Sequence, residues 1–186
     1  MLSAESQRPN ALTAFKVSRR WFEQGRRIEM QELAAELDVS RATLFRWVGS
    51  RDVLLAEIIW SLVKPALRGV LETTSGHGPA RVAAIMGGFA AEIDAVEGLH
   101  RFMEREPERA LRLITTRRGT VQQRAVAHVE NILRQEISPE SFVLPSHELA
   151  YLLIRILESF AYTPLITGEP ADPRRVEQAT AALLRA

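Results

Sequence analysis

The chain has 186 residues, 46% hydrophobic and 25% charged, which fits one ordinary domain or a small domain fused to a larger one and excludes a disordered chain. Cysteine is absent, so neither a disulfide framework nor a thiolate metal site can form, a usage compatible with a reducing cytoplasm. The net charge is only +1, but residues 1–52 carry nine Lys or Arg against seven Asp or Glu, and residues 39–51 hold three arginines and no acid, a bias that suits contact with a polyanion.

Residues 1–9 read as a disordered polar arm without the apolar stretch of a signal peptide. No stretch alternates with period two for long, and Val and Ile fall at helical spacings, so the fold class predicted is all-α. A first helix runs from about Ala11 to Gly25, with Leu12, Phe15, Trp21 and Phe22 facing a small core. Met30 to Leu37 and Arg41 to Val48 follow as short helices. A long helix starts near Arg51 and runs toward Thr73, with Pro65 placed to kink or break it. After the turn-rich 74–79, helices fit Ala80 to Ala95, Leu99 to Arg105, Glu108 to Glu136 with a bend near Gly119, Ser146 to Tyr162 and Arg174 to Ala186. The segment Leu149 to Tyr162 is the most apolar, yet it holds Arg155 and Glu158 and is too short to span a bilayer. The organisation expected is therefore 10–50 as a three-helix unit and 51–186 as a larger helical body, in a cytoplasmic protein with no membrane partner.

The segment Met30 to Trp47 carries the most specific pattern. Two short helices that cross steeply need apolar residues at fixed offsets, and Leu33, Leu37, Val39, Leu44 and Trp47 supply them. Ala34 stands where the helices cross most closely. The turn needs a residue tolerant of positive φ, and Asp38 is one of the few besides glycine. Ser40 can cap the next helix. The alternative is a plain helical hairpin with the same core; the turn chemistry, the cap and the absence of acids favour a helix-turn-helix. That geometry exposes Arg41, Ala42, Thr43 and Arg46 to a major groove, where arginine can hold guanine and small methyls can touch thymine. Trp47 is assigned to the core. Ser50 and Arg51, opening the long helix, can anchor a phosphate.

Residues 33–55, LAAELDVSRATLFRWVGSRDVLL, resemble the DNA-binding signature of TetR-family regulators without gaps. The resemblance covers about residues 10–60 and implies a body that binds a ligand and dimerises. It departs at Asp38, Phe45 and Arg51, where the family usually has Gly, Tyr and Lys. Phe45 lacks the hydroxyl that the family tyrosine gives to a phosphate, so contact there must be apolar or pass to Arg46. In the body, residues 105–115, 149–162 and 165–169 resemble the QsdR-type branch, which implies an apolar, lactone- or acyl-like effector. The resemblance also implies a homodimer on a near-palindromic operator in double-stranded DNA, joined through the last two helices by Leu149, Leu153, Ile156, Val176, Ala179 and Leu183.

The body has features of a cavity in its own right. Met86-Gly87-Gly88-Phe89 places two glycines inside one helix, and the missing side chains leave room either for a close helix crossing or for a ligand. Trp60, Met86, Phe89, Phe102 and Met103 can wall such a pocket or be plain core. Arg124, His128, Asn131, Tyr151, Arg155, Glu158 and Tyr162 are candidates for its polar groups. Arg155 and Glu158, at i and i+3, can bind a ligand carbonyl or pair with each other. The function expected is a ligand-responsive repressor; the alternative is a helical protein-interaction or lipid-binding module with a vestigial helix-turn-helix. No HExxH, Gly-rich phosphate loop or GxSxG occurs, and His77, His100, His128 and His147 lack metal-ligand spacing, so no catalytic residue, metal or cofactor is expected.

Overall fold

The computed structural model describes residues 8–116, 120–138, 140 and 144–185. Among them are eleven helices and no strand. Most of the arm expected over 1–9, and the bend expected at Gly119, lie outside the described residues.

Helix α1 (Ala11–Glu23) opens on Asn10, whose side chain accepts from the Thr13 amide at 3.0 Å. It buries Ala14, Ser18, Trp21 and Phe22, while Leu12 points to solvent instead of into the core as expected. Helices α2 (Met30–Glu36) and α3 (Arg41–Val48) pack on it around Leu33, Ala34, Leu37 and Leu44. Asp38 adopts φ of 52°, the left-handed turn its position demands.

Helix α4 (Arg51–Thr73) has 23 residues and is about 35 Å long, so it belongs to both halves of the molecule. Pro65 lies inside it on the exposed side and does not end it. The body adds α5 (Gly78–Asp94), α6 (Glu97–Arg105), α7 (Pro107–Thr115), α8 (Thr120–Glu136), α9 (Ser146–Ala161), the single turn α10 (Thr163–Ile166) and α11 (Pro173–Leu184). The one long helix expected over 108–136 is thus two, and α10 falls in the stretch left between the last two expected helices. Helix α5 packs chiefly on α11, and α8 on α9. None of the described helices is long and apolar enough to cross a membrane.

The two glycines of α5 mark close crossings. A Cβ at Gly87 would lie 2.8 Å from the Glu177 Cβ of α11, and one at Gly88 would lie 2.9 Å from Val70 Cγ1 of α4. Gly87 therefore belongs to helix packing, not to a ligand pocket, which corrects one expectation.

The last two helices correct half of the expected dimer surface. Leu149, Leu153 and Val176 are buried within the protomer, while Ile156, Ala179 and Leu183 keep part of their surface exposed. What α9 leaves outside is a different stripe: Tyr151, Leu152, Arg155 and Ser159. An α-helix that is apolar on two sides must bury both, and the sequence alone did not say which side faced home.

Candidate functional site

Two sites emerge, one on α3 beside the start of α4 and one against the middle of α4. The first is the exposed face of α3. Ser40 Oγ accepts from the Thr43 amide at 3.1 Å and lies 2.9 Å from Thr43 Oγ1, so the helix start is fixed by a cap. Leu44 is fully buried and Trp47 half-buried, which presses the helix onto α1 and leaves Arg41, Ala42, Phe45 and Arg46 outward. Thr43 is half-buried. Phe45 is 59% exposed. Neither Arg41 nor Arg46 has an ion-pair partner among the described residues. Ser50 stays exposed and caps α4 through the Val53 amide at 3.3 Å.

Arg51 corrects the expected phosphate anchor. Its guanidinium grips Glu106 with two bonds, Nη1 to Oε2 at 2.8 Å and Nη2 to Oε1 at 2.6 Å, while Nε donates to the Ile28 carbonyl. The side chains of Arg51 and Glu106 are only 12% and 15% exposed. The hydrogen bond to Arg51 holds the Glu106 carboxyl below the usual carboxylate range, and the same bond raises the Arg51 guanidinium. Arg51 is thus a clamp between the α1–α2 loop, α4 and the α6–α7 corner, already satisfied and turned inward. Glu106 escaped sequence reasoning because its partner stands 55 residues away.

The second site is a partly open apolar cavity of about 50 Å³ lined by α4 to α9. Of the residues singled out in the sequence, Phe89, Met103, Glu158 and Tyr162 line it, beside Ile59, Val63, Leu99, Ile154 and Leu157. Its polar groups are few. Glu158 is buried among apolar side chains, and that burial pushes its carboxyl up to about 7 against the opposing pull of Arg155 and Gln122. Arg155 Nη1 donates to Glu158 Oε2 at 2.6 Å from the outer side of α9. Gln122 Nε2 donates to Glu158 Oε1 at 3.4 Å. Burial likewise raises the Tyr162 phenol, and its hydroxyl has no hydrogen-bond partner among the described residues. Gln122 was missed by sequence reasoning although the signal was present: it occupies the apolar stripe of α8 with Val121, Ala125, Val126, Val129, Ile132 and Leu133.

The remaining pocket candidates lie elsewhere. Trp60, Arg124 and His128 form a separate cluster between α4 and α8. The Trp60 and His128 rings meet edge-on at 5.2 Å, the Arg124 guanidinium lies 5.7 Å from the Trp60 ring centre, and Arg124 pairs with Glu57 at 2.6 Å. Met86 is buried core. Phe102 packs on Phe22 of α1, with ring centres 5.6 Å apart. Tyr151 and Asn131 are exposed. Arg155 and Glu158 pair with each other, as one of the two expected arrangements had it.

Helix α6 joins the two sites. Leu99 and Met103 line the cavity. On its other face Gly98 abuts Phe22, Arg101 Nη1 donates to the Gln24 carbonyl at 3.1 Å, and Arg105 donates to the Gly25 carbonyl. Helix α6 thus carries cavity-lining side chains on one face and groups bonded to the three-helix unit on the other.

Comparison with known proteins agrees with this architecture. The family model described as the tetracyclin repressor-like C-terminal domain matches residues 77–185. The fold resembles the solved structure of the transcriptional repressor QsdR of R. erythropolis, of the TetR family, with a TM-score of 0.83 and 24% identity over 95% of this chain and 94% of that one. It also resembles AlkX of Dietzia sp. strain DQ12-45-1b, a TetR-family repressor implicated in biodegradation of n-alkanes, with a TM-score of 0.64 and 21% identity over 95% and 96% of the two chains. No curated protein matches the sequence. At these identities the likeness to the two solved structures speaks for the fold.

Proposed function

The chain belongs to the tetracyclin repressor-like family, and from that premise we propose that it is a ligand-responsive transcriptional repressor, binding double-stranded DNA through α3 and an apolar effector in the body cavity. The observation that carries the reading is α6, with Leu99 and Met103 on the cavity and Gly98, Arg101, Phe102 and Arg105 on the DNA-reading unit. The effector is lactone- or acyl-like, and it must bind the DNA-incompetent state better than the competent one, since equal affinity shifts nothing.

DNA contact rests on Arg41, Ala42, Phe45 and Arg46, with Ser40 and Thr43 holding the helix start. Phe45 offers an apolar face where the family tyrosine offers a hydroxyl. Two protomers pair about a two-fold axis through the outer stripe of α9, Tyr151, Leu152 and Arg155, and bind half-sites roughly 34–36 Å apart or more.

Gel retardation with the protein's own upstream region tests the reading. Arg46→Ala is expected to weaken binding by about 1–3 kcal/mol, and the affinity should fall steeply with salt as phosphate contacts require. Unchanged affinity in Arg46→Ala, or no preference over a scrambled duplex, would remove α3 from the interface.

A further inference from the structure

We infer that Phe45 reads a base, and that each half-site presents the C5-methyl group of a thymine beneath its ring. This rests on the reading that α3 binds DNA and names what the centre of that helix recognises. Each residue of an α-helix advances about 100° around the axis. The four exposed side chains of α3 therefore stand in the order Arg41, Phe45, Ala42, Arg46, across an arc of about 140°. The cations hold the two edges of the face and the apolar pair holds its middle.

The rotation of that face is fixed. Leu44 is fully buried on the opposite side, and the Ser40 hydroxyl caps the helix start through the Thr43 amide. Phe45 is 59% exposed, and its ring makes no aromatic or cation–π contact among the described residues. Residues 39–51 carry no acid, so charge complementarity selects a polyanion for this face. An apolar ring between two unpaired cations suits a surface that is anionic at its edges and apolar at its centre. The major groove offers that arrangement, with phosphates along its rims and the thymine methyl as the apolar group on its floor. A phosphate gains no hydrogen bond from a phenyl ring. A guanine or cytosine edge beneath the ring would lose water from donors and acceptors that Phe45 cannot satisfy. A thymine there buries ring and methyl together, with a gain set by the apolar area covered.

The probe is a duplex that the full chain selects from a random-sequence pool. It is resynthesised with each thymine replaced in turn by deoxyuridine, which removes one methyl and keeps every base-pairing group. At one or more positions in each half-site, the replacement should weaken the native protein about fourfold, the worth of one buried methyl-sized group. Phe45→Ala should bind the thymine and deoxyuridine duplexes alike at that position. The four affinities form a double-mutant cycle, which separates the ring–methyl contact from any change in duplex stiffness. Titration at low salt keeps the weaker complexes measurable. The melting temperature of Phe45→Ala should stay near the native value, because the ring is mostly exposed. No loss at any thymine, or equal losses in both proteins at every thymine, overturns this inference and leaves α3 on the DNA through its arginines. Selection of no sequence, with no duplex retained, overturns the DNA reading as well.

Discussion

Glu106→Gln is expected to lower the unfolding free energy by about 2–3 kcal/mol at neutral pH, the largest loss predicted for any single polar side chain here. Removing one partner of a buried ion pair leaves the other charge desolvated, at a cost of about 3–5 kcal/mol when burial is complete. Arg51 and Glu106 keep a little contact with water, so the lower figure applies. Arg27 at 3.8 Å and Arg109 at 3.4 Å also face Glu106, and both lose an anion in the variant. Arg51→Ala should cost a similar amount, and the double variant less than the sum, because the two act as a unit. The pH dependence has a definite sign. The folded carboxyl of Glu106 titrates below its unfolded value of about 4.3, so its contribution is present above that value and is lost as pH falls through the folded one. Urea unfolding of native protein and Glu106→Gln should therefore diverge at pH 7 and converge below about pH 4. A gap that does not change with pH would mean that the clamp is not ionic.

Gly98→Ala should weaken communication between the two sites more than it weakens either site. A Cβ there would lie 2.8 Å from the Phe22 carbonyl oxygen and 3.2 Å from the Glu23 Cα. Both atoms are backbone, so no side chain can swing away, and α6 and α1 must separate. Overpacking of this kind costs about 1–3 kcal/mol, reduced by up to about 1 kcal/mol because alanine favours the helix. Leu99 and Met103 stay on the cavity side and the α3 face is distant, so affinity for ligand alone and for DNA alone should change less than their mutual influence. The check is the factor by which a bound ligand alters DNA affinity, which should shrink severalfold in the variant. A variant with native stability and native coupling would show that the α1–α6 contact transmits nothing.

The three-helix unit was legible because its determinants are local. Leu33, Leu37, Val39 and Leu44 fall within one short stretch, Asp38 supplies the left-handed turn, and Ser40 supplies the cap. The expected bounds of α3 and α4 agree with the structure for the same reason. What could not be read depends on contacts far apart in the chain. Arg51 resembles a free cation until Glu106 is brought to it. Gly87 resembles spare volume until α11 crosses it. On α9 the residues Leu149, Leu152, Leu153, Ile156 and Leu157 are apolar nearly all round, so the pattern showed a helix buried on two sides without showing which side faced its own body. Trp60, Arg124 and His128 carry the chemistry of a binding site, yet the geometry satisfies them among themselves and with Glu57. The cavity is lined instead by Gln122, a polar residue in an apolar stripe.

Coupling between the cavity and α3 is read from the affinity of the best-binding lactone for free protein and for protein saturated with its operator. Linkage requires that DNA weaken the lactone by the same factor by which the lactone weakens DNA, and a factor of about 5–150 is the usual range for coupled sites. Such a reciprocal loss is expected in the native chain, reduced in Gly98→Ala. Identical lactone affinity in the free and DNA-bound states would contradict it, because the cavity and the recognition helix would then be two independent sites on one fold.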